Sequence, residues 1–265
     1  MYIDAHCHLD LPDFDHDRDA VLIRAKRAGV TQFLMAGVDP LGWRRQRALM
    51  EHIEGAFWTA GIHPVRCAEM TPSVLKEALE ALPLCFQGAG AACGVGETGL
   101  DRVFVDRATL PAQRMAFKAH LSLAKTLDLP LVLHVVGAHG ACLDLLRSEG
   151  IPRRGGMVHS FSGSKEVALD YLRQGLHLSV SGGALRAPGA RLREALREIP
   201  AHRLMVETDA PDQPIKAGER NEPAALVGIA EALAKIRGCT RAEILRDSAA
   251  NCAELFGMTP GVEHG

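Results

Sequence analysis

The 265-residue sequence has almost no excess of charge of either sign. Thirty lysines and arginines face 32 aspartates and glutamates, for a formal net charge of -2. No global basic field therefore draws the chain to nucleic acid or to an acidic membrane, and any polyanion must be held at a local site. A C-x-x-C pair is also missing. The seven cysteines (Cys7, Cys67, Cys85, Cys93, Cys142, Cys239 and Cys252) are odd in number and scattered. That argues against a disulfide framework and predicts reduced, mostly buried thiols in a cytoplasmic protein. No apolar run approaches the roughly 18 residues of a membrane span. No basic stretch followed by an apolar core opens the chain, so a signal peptide is not expected. Linkers, low-complexity tracts and short-period repeats are absent too, which predicts one domain over 1–265. Nothing calls for an obligate protein partner.

What is present is ordinary for a globular chain with a sizeable core: 47% apolar and 23% charged residues. Short apolar runs alternate with longer amphipathic ones. YIDAH, TQFLMAGV, AFWTAGI, AACGVGE, PLVLHVV, GGMVHSF, LHLSVSG and RLMVETD read as strands. Helices are expected at about 17–28, 40–54, 72–81, 110–128, 138–149, 164–173, 190–198 and 222–237. An extra C-terminal helix is expected at about 240–256. Thr71-Pro72 and Thr109 with Pro111 mark helix starts, and Gly29, Gly150, Gly175 and Gly238 mark stops. Eight strand–helix units over this length predict an α/β protein, a (β/α)8 TIM-type barrel.

The reactive residues gather at the C-terminal ends of these strands. His6 and His8 end the first, His63 the third, Glu97 the fourth, His134 the fifth, His159 the sixth and Asp209 the eighth. In a barrel these ends share the face that carries active sites. A strand repeats its side-chain direction every second residue, so His6 and His8 form a pincer while Cys7 points away. Histidine with carboxylate suits zinc or manganese, and magnesium less well. Four histidines and two acids exceed what one catalytic ion takes from a protein. They would suffice for two or three divalent ions, two of them about 3.5–4 Å apart. His16, His52, His120, His177, His202 and His264 are expected at the surface. His139, just after the fifth strand, is the exception, a candidate for the substrate rim.

Competing motifs fail on context. GVGETG at 94–99 fits G-x-G-x-x-G, but LDRVFVDRAT follows where a dinucleotide site needs a helix. Its glycines instead predict a close approach of the backbone to a metal cluster. Ser160 is not in a G-x-S-x-G elbow, and no G-x-x-x-x-G-K-[ST] occurs. Arg44, Arg45 and Arg47 read as a solvated helix face. Arg102, Arg186, and Lys216 with Arg220 fall in strand-end loops, where they would form a phosphate-binding rim.

Together the motifs resemble those of the TatD family of metal-dependent hydrolases. They are IDAHCHLD (3–10), GIHP (61–64), GETGLD (96–101), LPLVLH (129–134), VHSFSGS (158–164), ETDAP (207–211), RNEP (220–223) and NCAELF (251–256), in order over almost the whole chain. The resemblance implies a metal-dependent phosphodiesterase, a deoxyribonuclease, acting on DNA or a small phosphodiester. It implies one ion on His6, His8, Glu97 and Asp209, and another on Glu97, His134 and His159, with Glu97 bridging. His63 would touch a substrate phosphate, and Asp209 would act as general base. Asp4 and Glu207, two residues before His6 and Asp209, would support the ligand imidazoles from beneath. Two positions depart from the family pattern. His134-Val135-Val136 stands where H-S-R is common, so an arginine is missing at 136 and Arg102 or His139 would have to compensate. GETGLD replaces the commoner GEIGLD. The alternative on the same centre is cleavage of another ester or a C–N bond, such as aminoacyl-tRNA deacylation.

Overall fold

Eight apolar runs form eight parallel strands, and the computed structural model describes residues 1–106 and 109–258. The strands are β1 (Tyr2–Cys7), β2 (Val30–Ala36), β3 (Ala56–Ala60), β4 (Gly94–Asp101), β5 (Leu131–Val136), β6 (Gly156–Val158), β7 (Leu176–Val180) and β8 (Leu204–Val206). Each pairs with its neighbours in chain order. The segment after β8 turns back onto β1, where Asp209 N–H donates to the His6 carbonyl at 2.9 Å and His8 N–H to that of Ala210 at 2.8 Å. These bonds bring the last strand to the first, as a (β/α)8 barrel requires.

The helices are α1 (Arg18–Arg27), α2 (Pro40–Leu49), α3 (Pro64–Glu69), α4 (Pro72–Ala81), α5 (Leu110–Leu127), α6 (His139–Glu149), α7 (Lys165–Arg173), α8 (Gly182–Leu185), α9 (Ala190–Glu198), α10 (Leu226–Arg237) and α11 (Arg241–Phe256). Their ends follow local chemistry. Asp39, His63 and Thr71 accept a backbone N–H at the starts of α2, α3 and α4, each followed by proline. Thr240 and Glu243 form a capping box on α11. Gly238 and Gly257 end α10 and α11 in the left-handed conformation.

Several boundaries differ from the sequence expectation. The helix expected to 54 stops at Leu49, and the one expected from 222 starts at Leu226, after a 3₁₀ turn over Pro223–Ala225. α3 and α8 are too short to show a period. β4 does not end at Glu97 but runs to Asp101, because Gly99 pairs with His134 and Asp101 with Val136. β6 and β8 are three residues each, so His159 and Asp209 lie just past them.

One large apolar core lies among the strands and helices, with Phe14, Trp58, Phe117 and Tyr171 fully buried. A smaller one joins Ile3, Val132, Met157 and Met205, near the starts of their strands, to Cys252, Leu255 and Phe256 of α11. The last helix thus covers the barrel end opposite the reactive residues. A Phe256→Ala cavity there would cost roughly 3–5 kcal/mol. No described helix is long and apolar enough to cross a membrane.

Candidate metal centre

Seven side chains from six strand ends converge at the C-terminal mouth. His6 Nε2 lies 3.4 Å from Glu97 Oε2 and 3.4 Å from Asp209 Oδ1. His8 Nε2 lies 3.3 Å from the same Asp209 oxygen, 3.8 Å from Glu97 Oε2 and 3.3 Å from His6 Nε2. On the other side of Glu97, Oε1 lies 2.8 Å from His159 Nε2, 3.0 Å from His134 Nδ1 and 3.3 Å from His63 Nε2. His134 Nδ1 is 3.1 Å from His159 Nε2. Glu97 therefore turns one oxygen to each of two groups of donors. Bonds of about 2.0–2.2 Å to a four-coordinate cation would place neighbouring donors roughly 3.0–3.5 Å apart, and these separations match.

The hydrogen bonds behind the rings decide which nitrogens carry lone pairs. His8 Nδ1 faces the Ala36 carbonyl at 3.1 Å. A carbonyl can only accept, so Nδ1 holds the proton and Nε2 presents a lone pair to the carboxylates. His134 is oriented the other way round: its Nε2 faces Asp101 Oδ2 at 3.0 Å, and its Nδ1 lone pair points at Glu97. A lone pair aimed at a carboxylate is repulsive unless a cation sits between them. His63 differs. Its Nδ1 accepts the Val65 N–H at 3.1 Å, so the neutral ring has its proton on Nε2 and acts as a donor.

The electrostatics point the same way. Burial disfavours the charged His8 ring, yet the hydrogen bond and charge of Asp209 outweigh it and push its pKa up to about 9. Burial likewise opposes the charged His159 ring, but Glu97 holds it well above the ordinary value. Burial would raise Glu97, but the imidazoles of His159, His63 and His6 hold it well below the usual carboxylate range. Asp209 is held down by His8, His159 and His6 against the same penalty. Burial keeps His63 lowered, and so neutral. The space between Glu97 and Asp209 thus demands positive charge, which protons or divalent cations can supply.

Backbone geometry makes this convergence possible. A Cβ at Gly96 would lie 2.4 Å from the Val132 carbonyl oxygen, and one at Gly99 would lie 2.0 Å from that of His134. The glycines of GVGETG therefore bring β4 hard against β5, a close approach to the neighbouring strand where the sequence predicts one to a metal cluster. Asp209 sits in the left-handed region at φ 57°, which aspartate tolerates, and its bond to the His6 carbonyl holds it there.

Several residues matter that the sequence reading missed or misplaced. Asp101 is fully buried and orients His134. Its position four residues after Glu97 in GETGLD, on the same strand face, was the available signal. Glu207 lies beneath His159, with Oε1 3.5 Å from Nδ1, a contact at the limit of hydrogen-bond reach. It accepts from Ser160 N–H and Ser179 Oγ. Asp4 holds Thr208 instead of an imidazole, accepting its N–H at 2.8 Å and its hydroxyl at 2.5 Å. His120 was expected at the surface but is fully buried. Its Nε2 accepts the Ile62 N–H at 3.0 Å and its Nδ1 donates to the Ala116 carbonyl at 2.7 Å. The buried face of α5 reads 113, 116, 117, 120, 121 and 124, a helical period that would have found it. His177 is half-buried, while His16, His52 and His202 are exposed. His264 lies outside the described residues.

The expected rim divides. Arg220 is committed to Asp17, at 2.9 Å and 2.5 Å, and to the Asp13 carbonyl. Arg186 donates to the Pro214 carbonyl at 2.8 Å, and Lys216 lies 3.8 Å from Glu219. His139 Nδ1 lies 3.1 Å from the Tyr171 hydroxyl, its ring beside Phe161. Burial lowers its pKa, so it brings no charge to the mouth. Arg102 is exposed, and its guanidinium has no ion pair or hydrogen bond among the described residues.

A parallel eight-stranded barrel with clustered imidazoles and carboxylates at its C-terminal mouth defines a metal-dependent hydrolase of the TIM-barrel class. The chain belongs to the TatD-related DNase family, whose model matches residues 3–257. It is 31% identical over 262 residues to "Uncharacterized metal-dependent hydrolase YjjV" of Escherichia coli, covering 97% of this chain and 98% of that one. The crystal structure of YjjV superposes with a TM-score of 0.86, covering 97% and 98% of the two chains. It is also 35% identical over 266 residues to the "3'-5' ssDNA/RNA exonuclease TatD" of Klebsiella pneumoniae, covering 96% and 97%.

Proposed function

We propose that this chain is a phosphodiesterase, a deoxyribonuclease that works with two divalent cations. One observation carries the reading: two groups of donors share Glu97 at the barrel mouth, one through each carboxylate oxygen. His6, His8, Glu97 and Asp209 would hold one ion; Glu97, His134 and His159 would hold the other. The nitrogen-rich donor set suits zinc or manganese better than magnesium. Such ions would supply positive charge that acidifies water and polarises a phosphoryl oxygen.

The remaining work falls to the side chains. His63, neutral and carrying its proton on Nε2, is not suited to ligate; it donates to the phosphate as negative charge builds there. Asp209 faces His6 and His8 through Oδ1, leaving Oδ2 to take the proton of the attacking water. Asp101 holds the ring of His134 in place, and the Glu207 carboxylate lies behind that of His159. The names of relatives that act on ssDNA and RNA support a nucleic-acid substrate. Seven free thiols suit a reducing compartment such as the cytoplasm.

The test is cleavage of a single-stranded oligodeoxynucleotide before and after chelation. Chelation should abolish cleavage, and manganese, magnesium or zinc should restore it. Asp209→Asn with metal bound should lose roughly 10²–10⁴-fold in kcat. Undiminished cleavage after metal loss confirmed by elemental analysis would overturn the proposal.

A further inference from the structure

Most exposed apolar side chains sit on the outer helices: Ile23 on α1, Leu41 on α2, Val74 on α4, Met115 and Leu127 on α5. Val103 and Phe104 do not. They follow β4 at the barrel mouth, and Phe104, 74% exposed, is the one aromatic among the exposed large apolar residues described. Single exposed apolar residues are common and need no explanation, but this one is anchored to the metal centre. Asp101 Oδ1 accepts the N–H groups of both Val103 and Phe104 at 2.8 Å, while Oδ2 of the same buried carboxylate holds His134 Nε2. One carboxylate therefore separates the backbone of Phe104 from the ring of a candidate ligand. Arg102 lies beside it, its N–H on the Val136 carbonyl at 3.0 Å and its guanidinium unpaired among the described residues. Arg186 and Arg220, by contrast, are engaged with protein oxygens.

We infer that Phe104 stacks on an unpaired base of the substrate strand next to the scissile phosphate, with Arg102 on the neighbouring phosphate. The subsite rests on the phosphodiesterase reading and names the residues of this chain that would grip an unpaired strand. A cation beside an aromatic ring is the chemistry that grips single-stranded nucleic acid. The phenyl ring has no polar atom to read a base edge, so the grip tolerates any sequence. A duplex keeps its base faces stacked and offers the ring nothing. The two backbone bonds to Asp101 hold the ring's backbone in place before substrate arrives, which lowers the ordering cost of binding.

The experiment compares a single-stranded oligodeoxynucleotide with an otherwise identical strand whose terminal three sugars lack bases. In the wild type, kcat/KM should be about 5- to 150-fold higher for the strand with bases, the range expected for one stacked base. Phe104→Ala should bring that ratio towards one, and Phe104→Trp should retain it. Fluorescence anisotropy with metal-free protein should show the base-bearing strand bound more weakly by Phe104→Ala in similar proportion. Elemental analysis confirms that both variants still load metal. An unchanged ratio in metal-loaded Phe104→Ala, or a wild-type ratio near one, would overturn the subsite alone. Failure of the wild type to cleave either strand would overturn the phosphodiesterase reading, and the subsite with it.

Discussion

An imidazole has two nitrogens, and what touches one decides what the other can do. His8 is set by the Ala36 carbonyl, His134 by Asp101 and His63 by the Val65 amide. The first two present lone pairs and the third presents a proton, so the histidines of one mouth divide between two chemical roles. Asp101→Asn tests this directly. The amide can still accept one bond but offers an N–H where His134 carries its own, so the ring loses its orientation. Metal affinity should fall about 10- to 100-fold, the usual cost of losing such a partner. A competition titration against a chelator of known affinity measures it; unchanged affinity would mean that another group sets the ring. The sequence showed His134 by its place at a strand end. It did not show Asp101, because the fourth strand was expected to stop at Glu97.

Elements position these residues through contacts that strand and helix patterns do not display. α5 reaches across to the end of β3 through His120, which accepts the Ile62 N–H one residue before His63. The ring is buried and neutral, and burial lowers its pKa from 6.5 to about 4. The unfolded chain therefore binds a proton that the folded one refuses between those values. Stability from this group is complete above about pH 6.5 and is lost as the pH falls towards 4. Over the whole window it amounts to at most ~3 kcal/mol. In His120→Gln the stability should be lower at neutral pH but less steep between pH 6.5 and 4. Urea midpoints across that range measure it, and parallel curves for both proteins would refute the assignment. α5's own period was legible, but its partner was not, because 58 residues separate Ile62 from His120.

At the scale of the molecule, a net charge of -2 leaves no broad field for a polyanion. Binding should therefore depend on one or two phosphate contacts at the mouth, through Arg102 and His63. For a single strand, each neutralised phosphate contributes a slope of about -0.7 in the logarithm of affinity against the logarithm of salt. Arg102 carries charge while His63 is neutral, so the expected total is roughly -0.7, measured as oligonucleotide binding between low and moderate salt. A slope several times steeper would reveal a larger basic track than the described surface contains. The same economy shows in the rim, where Arg220 and Arg24 are spent on tying Asp17 and Glu222 together between α1 and the segment after β8.

By itself the sequence determined the number and order of the strands and of the longer helices, since apolar periodicity and capping residues act within a few positions of the chain, while α3 and α8 are too short to show a period. It also determined that His6, His8, His63, His134, His159 and Asp209 stand at or just past strand ends, because a (β/α)8 chain brings every strand end to one face; Glu97 lies within β4, which runs on to Asp101. Only the tertiary structure decided which nitrogen each imidazole turns inward, that Arg220 is neutralised while Arg102 is unpaired among the described residues, and that His120 is buried. Each of those depends on a partner from a distant part of the chain, such as Asp101 for His134 or Asp17 for Arg220. Local pattern carries no information about which distant group will arrive there.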